Sequence, residues 1–243
     1  MAAQRTPDGP PPPPAVQKLR IQYARRGRLR YSSTRDFARA LERALRRSGV
    51  PMAYSAGFHP HPKISYANGA TTGAASEAEY FEISVTERVD PHAVGQALDE
   101  ALPQGLDIIC VVEAQPGALA DRLQASRWRL EFPGVEPAQL DEAVGAFLAR
   151  ESIEVQRMFK RGPRTFDARG PVVSAQTGVD EEGCAILAMV VRHTTPAVRP
   201  DDVLSAIFAA TSFAPPRSPR VTRLAQGIWS SESDSVADPL AAD

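Results

Sequence analysis

The sequence predicts an α+β protein made of two consecutive units, each with the element order β-α-β-β-α-β, between loose ends. Three observations predict it. Runs that alternate apolar and polar residues are interleaved with runs whose apolar residues recur every three or four positions. The helical runs carry their own start and stop signals. The order of runs in the first half then returns in the second.

Residues 1–16 include five consecutive prolines, Pro10 to Pro14, and predict an extended, disordered lead. Lys18 to Ala24 alternates: Leu19, Ile21 and Tyr23 on one side, Lys18, Arg20 and Gln22 on the other, the pattern of a half-buried strand. Arg26-Gly27 suits a turn, with Arg28 to Tyr31 as a short returning arm. Ser33 followed three residues later by Asp36 has capping-box spacing and opens a helix from about Thr34 to Ser48, closed by Gly49 and Pro51. Phe37, Ala40, Leu41, Ala44 and Leu45 share its apolar face, opposite Arg35, Arg39 and Arg46. Met52 to Tyr66 is extended but interrupted at Gly57 to Pro62. A strand at Glu79–Thr86, a helix at Pro91–Leu102 and an apolar strand at Leu106–Glu113 complete the split order of a ferredoxin-like unit over 17–115.

The second unit, 125–228, repeats element order rather than residue identity. Its strands fall at Arg127–Phe132, Ile153–Phe159, Cys184–His193 and Arg220–Ala225. Its helices fall at Pro137–Arg150 and Pro200–Thr211, the latter carrying Val203, Leu204, Ile207 and Phe208. Lys160 to Thr177 is an insertion that breaks the symmetry and that the pattern does not place, with a strand or a short turn of helix after Asp167 as the alternatives. Residues 229–243, rich in Ser, Asp and Ala, predict a second loose, acidic tail.

The net charge of −1 hides an asymmetry. From Val16 to Tyr66 there are twelve Lys or Arg against two acids, a balance of +10, so the remainder carries −11. That local excess points to a polyanion, which the overall charge alone would argue against. Neither a membrane-length apolar run nor the apolar core of a signal peptide is present, so the expected address is the cytoplasm. Cys110 and Cys184 lie in apolar runs, where a thiol is usually a small buried hydrophobe, and two cysteines supply no disulfide framework, zinc site or cluster.

Three segments carry candidate chemistry. The first is the basic stretch with Arg25, Arg26, Arg28, Arg30 and Arg39, whose guanidinium groups match phosphate oxygens. The second is Ala53 to Lys63, which packs Tyr54, Phe58, His59, His61 and Lys63 beside it. Its rings could stack on unpaired bases and Lys63 could meet a phosphate, or the segment is a rigid structural loop. No Cys, Asp or Glu joins its two histidines, so no metal is assigned there. The third is Arg157 to Arg169, five basic residues against Asp167, which extends the basic surface or is an ordinary exposed loop. Phosphate-loop, dinucleotide, nucleophile-elbow and zinc-protease signatures are absent, and neither a catalytic residue nor a cofactor is assigned.

Arg28 to Ser33, Arg39 to Arg47 and Tyr54-Ser55-Ala56-Gly57-Phe58-His59-Pro60-His61-Pro62-Lys63 together resemble the radical-SAM-linked family of unknown function, in its stand-alone actinobacterial form. Ser76 to Tyr80 and Leu102 to Leu106 continue the resemblance, which covers Val16 to Ala114 well and fades toward Ala225. It implies a bacterial protein whose gene often lies near that of an RNase E/G-type ribonuclease, and it supplies no reaction. The family commonly has His where Thr34 stands, so no catalytic role is carried over. No Cys-rich radical SAM loop is present, so this chain alone is not expected to be a radical enzyme.

The leading expectation is an RNA-binding or RNA-processing accessory protein, with tRNA or an rRNA precursor as ligand. Arg25, Arg26, Arg28, Arg30, Arg39 and Lys63 would meet phosphates, and Tyr54, Phe58 and His59 bases. One alternative is an adaptor for a radical SAM protein or ribonuclease. Another is an enzyme on a nucleotide-like substrate using Ser55, His59 and His61, which needs a narrow pocket beneath the loop.

Overall fold

The structure, a computed structural model, describes residues 11–232 and 235–241. It is a mixed α+β protein with five helices among the described residues. The contacts divide it into two compact units. Unit 1 holds the chain up to Thr72, Ala78–Leu119 and the last residues from Leu240; unit 2 holds Gly73–Glu77 and Ala120–Pro239.

In unit 1, β1 (Gln17–Arg25) is followed by a 3-10 turn (Gly27–Tyr31), α1 (Thr34–Arg47), β2 (Ile64–Ala67), β3 (Ala75–Val85), α2 (Pro91–Ala101) and β4 (Leu106–Glu113). The strands lie in the order β4-β1-β3-β2. Alternation along β1 puts Leu19, Ile21 and Tyr23 into one core with Phe37, Leu41, Ala44 and Leu45 of α1 and Phe81, Ile83 and Val85 of β3. Tyr23 and Phe37 stack with centroids 4.3 Å apart. The capping box forms as the spacing requires: Asp36 N–H donates to Ser33 Oγ, and Ser33 N–H to the Asp36 carboxylate.

Two expectations for this unit change. Arg28 to Tyr31 is a 3-10 turn rather than a strand arm, because its carbonyls accept locally, as Leu29 O does from Ser32 N–H at 3.0 Å. The polar side of β1 is not solvated throughout either: Lys18 is exposed, but Arg20 is 2% exposed. Its Nε donates to Glu82 at 3.0 Å and its Nη2 to Gly117 O at 2.6 Å.

Unit 2 adds a short α3 (Leu119–Arg122), β5 (Ala125–Phe132), α4 (Pro137–Leu148), β6 (Glu154–Phe159), β7 (Gly162–Asp167), β8 (Val172–Val179), β9 (Ala185–Arg192), α5 (Pro200–Ala210), β10 (Arg220–Ser230) and β11 (Ser235–Ala237). Its sheet runs β10-β5-β9-β8, and the first two residues of β3, Ala75 and Ser76, pair parallel with Thr222 and Arg223. Trp128, Leu130 and Phe132 of β5, Leu140, Val144 and Phe147 of α4, and Val203, Leu204 and Ile207 of α5 are all buried.

The segment between α4 and β9 departs from expectation. The strand near Ile153–Phe159 exists but pairs only with β7, in a two-stranded ribbon outside the sheet. The sheet position expected for it is filled by β8, most of which lies in the unplaced insertion, where a strand after Asp167 is one of two alternatives; its mixed Ser, Ala, Gln and Thr content hides the alternation. Phe208 is 39% exposed, outside the core stripe. Both cysteines are half-buried rather than buried. Of the expected lead, residues 11–16 have no regular structure and 1–10 lie outside the described residues. Within the expected loose tail, β10 reaches Ser230 and β11 pairs back on it, while residues 233–234 and 242–243 lie outside the described residues.

Candidate nucleic-acid interface

α1 organises the basic surface of unit 1. At about 100° per residue, Arg35, Arg39, Arg43 and Arg46 fall within about 80° of arc, opposite the buried Phe37, Leu41 and Leu45. All four are exposed. Arg46 sits 3.5 Å from Glu42, one turn earlier. Among the described residues, Arg35, Arg39 and Arg43 form no ion pair. The stripe from Arg35 to Arg46 spans about 16 Å at about 1.5 Å per residue.

Of the five arginines expected to meet phosphate, Arg25 does not belong to this surface. β1 continues through it, and the period of two puts it on the face of Leu19, Ile21 and Tyr23. It is 4% exposed, and its guanidinium donates to the carbonyls of Ala70 and Thr71 at 2.9 and 3.1 Å. Arg26 is exposed but paired with Asp107 at 2.7 Å. Arg28 is exposed; Arg30 is half-buried, donating to the Tyr31 hydroxyl at 3.0 Å and lying 5.0 Å over its ring. Arg39 lies in the middle of the stripe.

The His-Pro loop is a closed structure at the other end of α1. Tyr54 and Pro62 bridge its base. Ser55 N–H donates to His61 O at 2.9 Å, and His61 N–H donates to Ser55 Oγ at 3.0 Å. Gly57, at φ 141°, takes a conformation that side chains rarely adopt. This bonding leaves His59, His61 and Lys63 exposed and Phe58 63% exposed. Tyr54 and Pro62 line a depression of about 130 Å³ with Glu42, Leu45 and Arg46, which joins the loop base to the C-terminal end of the stripe.

Of the residues expected to meet phosphates, Arg26, Arg28 and Arg30 precede α1 and Arg39 lies along it, whereas Lys63 sits with Tyr54, Phe58 and His59 beyond its other end, about 20 Å away along the 14-residue helix. The α1 stripe runs between them. Arg43 shares this face by helical phase and joins Arg35, Arg39 and Arg46, beyond the three expected there.

An enzymatic pocket finds little support here. The depression beneath the loop is far below the roughly 300–1,000 Å³ of small-molecule sites, and Ser55 Oγ serves to close the loop. A second small cavity, of about 160 Å³, is lined by Arg25, Thr34, Tyr66 and the buried Glu79. Burial, with Glu42 as the lesser cause, pushes the Tyr66 phenol up to about 12. Among the described residues no group of three or more His, Cys, Asp and Glu side chains is placed to hold a metal ion. No helix among them is long and apolar enough to cross a membrane.

Unit 2 contains a pair that sequence reasoning missed. His193 Nδ1 lies 2.7 Å from Leu123 O, so it carries the proton, and Nε2 accepts from Ser126 Oγ at 2.8 Å. Burial, assisted by Arg223, holds the imidazole below its ordinary value against the Leu123 carbonyl. This is the arrangement of an activated serine, but Ser126 is 1% exposed, and the pair acts as a satisfied buried bond. The partners stand 67 residues apart, with no spacing to announce them. On the sheet of this unit charges are matched locally, as in Arg129 and Arg220 on Glu131 at 3.1 and 2.8 Å.

The model of a family described as "Uncharacterized protein conserved in bacteria (DUF2344)" matches residues 18–200. The chain belongs to this family. The match opens in β1, takes in the whole α1 stripe and His-Pro loop, and ends at the first residue of α5. No curated protein matches the sequence. Among solved structures, DyPB from Rhodococcus jostii RHA1 aligns over 88% of this chain and 92% of its own at 11% identity, with a TM-score of 0.20. A likeness at that score carries no argument about fold or function.

Proposed function

We propose that this protein binds RNA through the exposed face of α1, in an accessory role to RNA processing in the cytoplasm. One observation carries the reading: Arg35, Arg39 and Arg43 stand exposed on a single helical face without an ion pair among the described residues. Guanidinium groups in a row repel one another, and a phosphate backbone relieves that repulsion while releasing counterions. Arg28 extends the stripe at one end. At the other, Phe58, His59 and Lys63 present rings and a cation on a rigid loop, suited to an unpaired base and its phosphate. Structured tRNA or rRNA precursors offer both features.

The fourth-first-third-second strand order of each unit supports reading the chain as two tandem ferredoxin-like repeats, over about 17–115 and 125–228, with a ribbon inserted in the second. The family match is compatible with the radical-SAM-linked group that the sequence resembles.

Anisotropy titration of the full chain with tRNA across a salt series tests the reading. The expected result is a steep fall of log affinity with log salt, and a loss of at least tenfold on R35E/R39E/R43E. Weak binding, flat with salt and indifferent to those substitutions, overturns it. Capture of a radical SAM protein or ribonuclease from nuclease-treated lysate, lost in the same variant, would instead make the stripe a protein-docking face.

A further inference from the structure

The ribbon of β6 and β7 stands outside any sheet, with Glu154 opposite Asp167 and Phe159 opposite Gly162. A lone two-stranded ribbon is marginally stable in water, so its bracing is informative. At the base, the Asp167 carboxylate accepts from the N–H groups of Ile153, Arg169 and Gly170 at 3.0, 2.9 and 3.0 Å. In the middle, Arg157 pairs with Asp202 of α5 and donates to Ala197 O at 3.0 Å. The same guanidinium lies 4.7 Å over Phe159 and 4.9 Å over Phe166, and Arg164 lies 5.4 Å over Phe159. One face of the ribbon is thus used up in fixing it.

The other face and the tip are not. Met158 is 73% exposed, and its cross-strand neighbour Pro163 is exposed too. Lys160 and Arg161 form the turn, with Arg164 three residues beyond it; all three are exposed and form no ion pair among the described residues. An ordinary surface hairpin does not need a clamped stem, an exposed apolar side chain, two cations without an ion pair at its turn and a third, Arg164, on the stem beside them. A polyanion with apolar surfaces between its charges accounts for all of these. Basic ribbons enter nucleic-acid grooves in this way, with Met or Pro as a wedge against an unstacked base.

We propose that this ribbon is a second RNA-gripping arm, in which Lys160, Arg161 and Arg164 meet backbone phosphates and Met158 packs against an unstacked base at a bulge. The proposal rests on the RNA-binding reading of α1 and adds to it the class of RNA: a stem interrupted by unpaired nucleotides.

The test is anisotropy titration of the full chain, over a salt series, with a short RNA stem-loop carrying a bulge and with the same stem uninterrupted. K160A/R161A changes only the exposed turn, and R164A is the separate check of the stem. K160A/R161A is expected to lower the salt slope by about two, at about 0.9 per phosphate, and to weaken binding about tenfold or more. M158S is expected to weaken the bulged stem several-fold and leave the uninterrupted stem unchanged. Unaltered slope and affinity in K160A/R161A, with RNA binding by the unmodified protein intact, overturn the arm and spare the α1 reading. No salt-dependent RNA binding by the unmodified protein overturns both.

Discussion

Arg20 Nε lies 3.0 Å from Glu82 Oε1, with the Arg20 side chain 2% exposed and that of Glu82 11% exposed. Two central strands of unit 1 thus carry a nearly dry ion pair on the face that alternation would assign to water. Lys18 approaches the same carboxylate at 3.4 Å from the wetter side. Desolvating such a pair costs several kcal/mol, which the attraction offsets only while both partners remain.

R20M is therefore expected to destabilise the protein by about 3–5 kcal/mol, because it strands the Glu82 charge in the interior. R20M/E82L should recover much of that loss. Chemical denaturation of the two variants checks it; equal losses would mean that packing, not charge, governs the site.

Ser33 closes the first turn of α1 by accepting from Asp36 N–H, and its hydroxyl and N–H in turn hold the Asp36 carboxyl below the usual carboxylate range. S33A should cost about 1 kcal/mol, seen as a lower urea midpoint with unchanged slope. It should also weaken RNA binding if the arginine stripe depends on a well-formed helix start.

Burial, with the Arg223 guanidinium, lowers the His193 pKa. Between the folded value and the unfolded value near 6.5, the unfolded chain binds more protons, so stability rises with pH there. The contribution is fully present above about pH 6.5 and is lost as pH falls through the folded value. NMR titration of the His193 ring, beside denaturation at pH 7 and pH 5, checks this. A ring titrating at or above its ordinary value would contradict it.

Phe58 stands 63% exposed at the tip of a loop whose closure depends on Ser55, Gly57 and the Tyr54–Pro62 bridge. F58S should leave the melting temperature nearly unchanged, within about 0.5 kcal/mol of stability, while weakening binding to RNA with unpaired bases. G57V should do the reverse, straining the loop at φ 141° and lowering stability.

Much of the fold was legible locally. Alternation located β1, a near-continuous apolar run located β4, apolar spacing located α1, α2, α4 and α5, and Ser33 with Asp36 marked the start of α1 within a residue. Those signals are short-ranged: a strand with one apolar face, a helix with one apolar stripe and a cap read out of a few neighbouring residues. The basic stripe was legible for the same reason, since helical phase alone puts Arg35, Arg39 and Arg46 together.

What the sequence by itself determined was element type, the apolar faces and the local excess of positive charge. Only the tertiary structure decided pairing and burial. It sent Arg25 and Arg20 inside, joined Ser126 to His193 across 67 residues, put β8 rather than β6 into the sheet, and drew Arg157 onto Asp202. Each of these outcomes turns on which distant group removes a side chain from water or satisfies its hydrogen bonds. Residues that meet only through the fold leave no periodic trace along the chain.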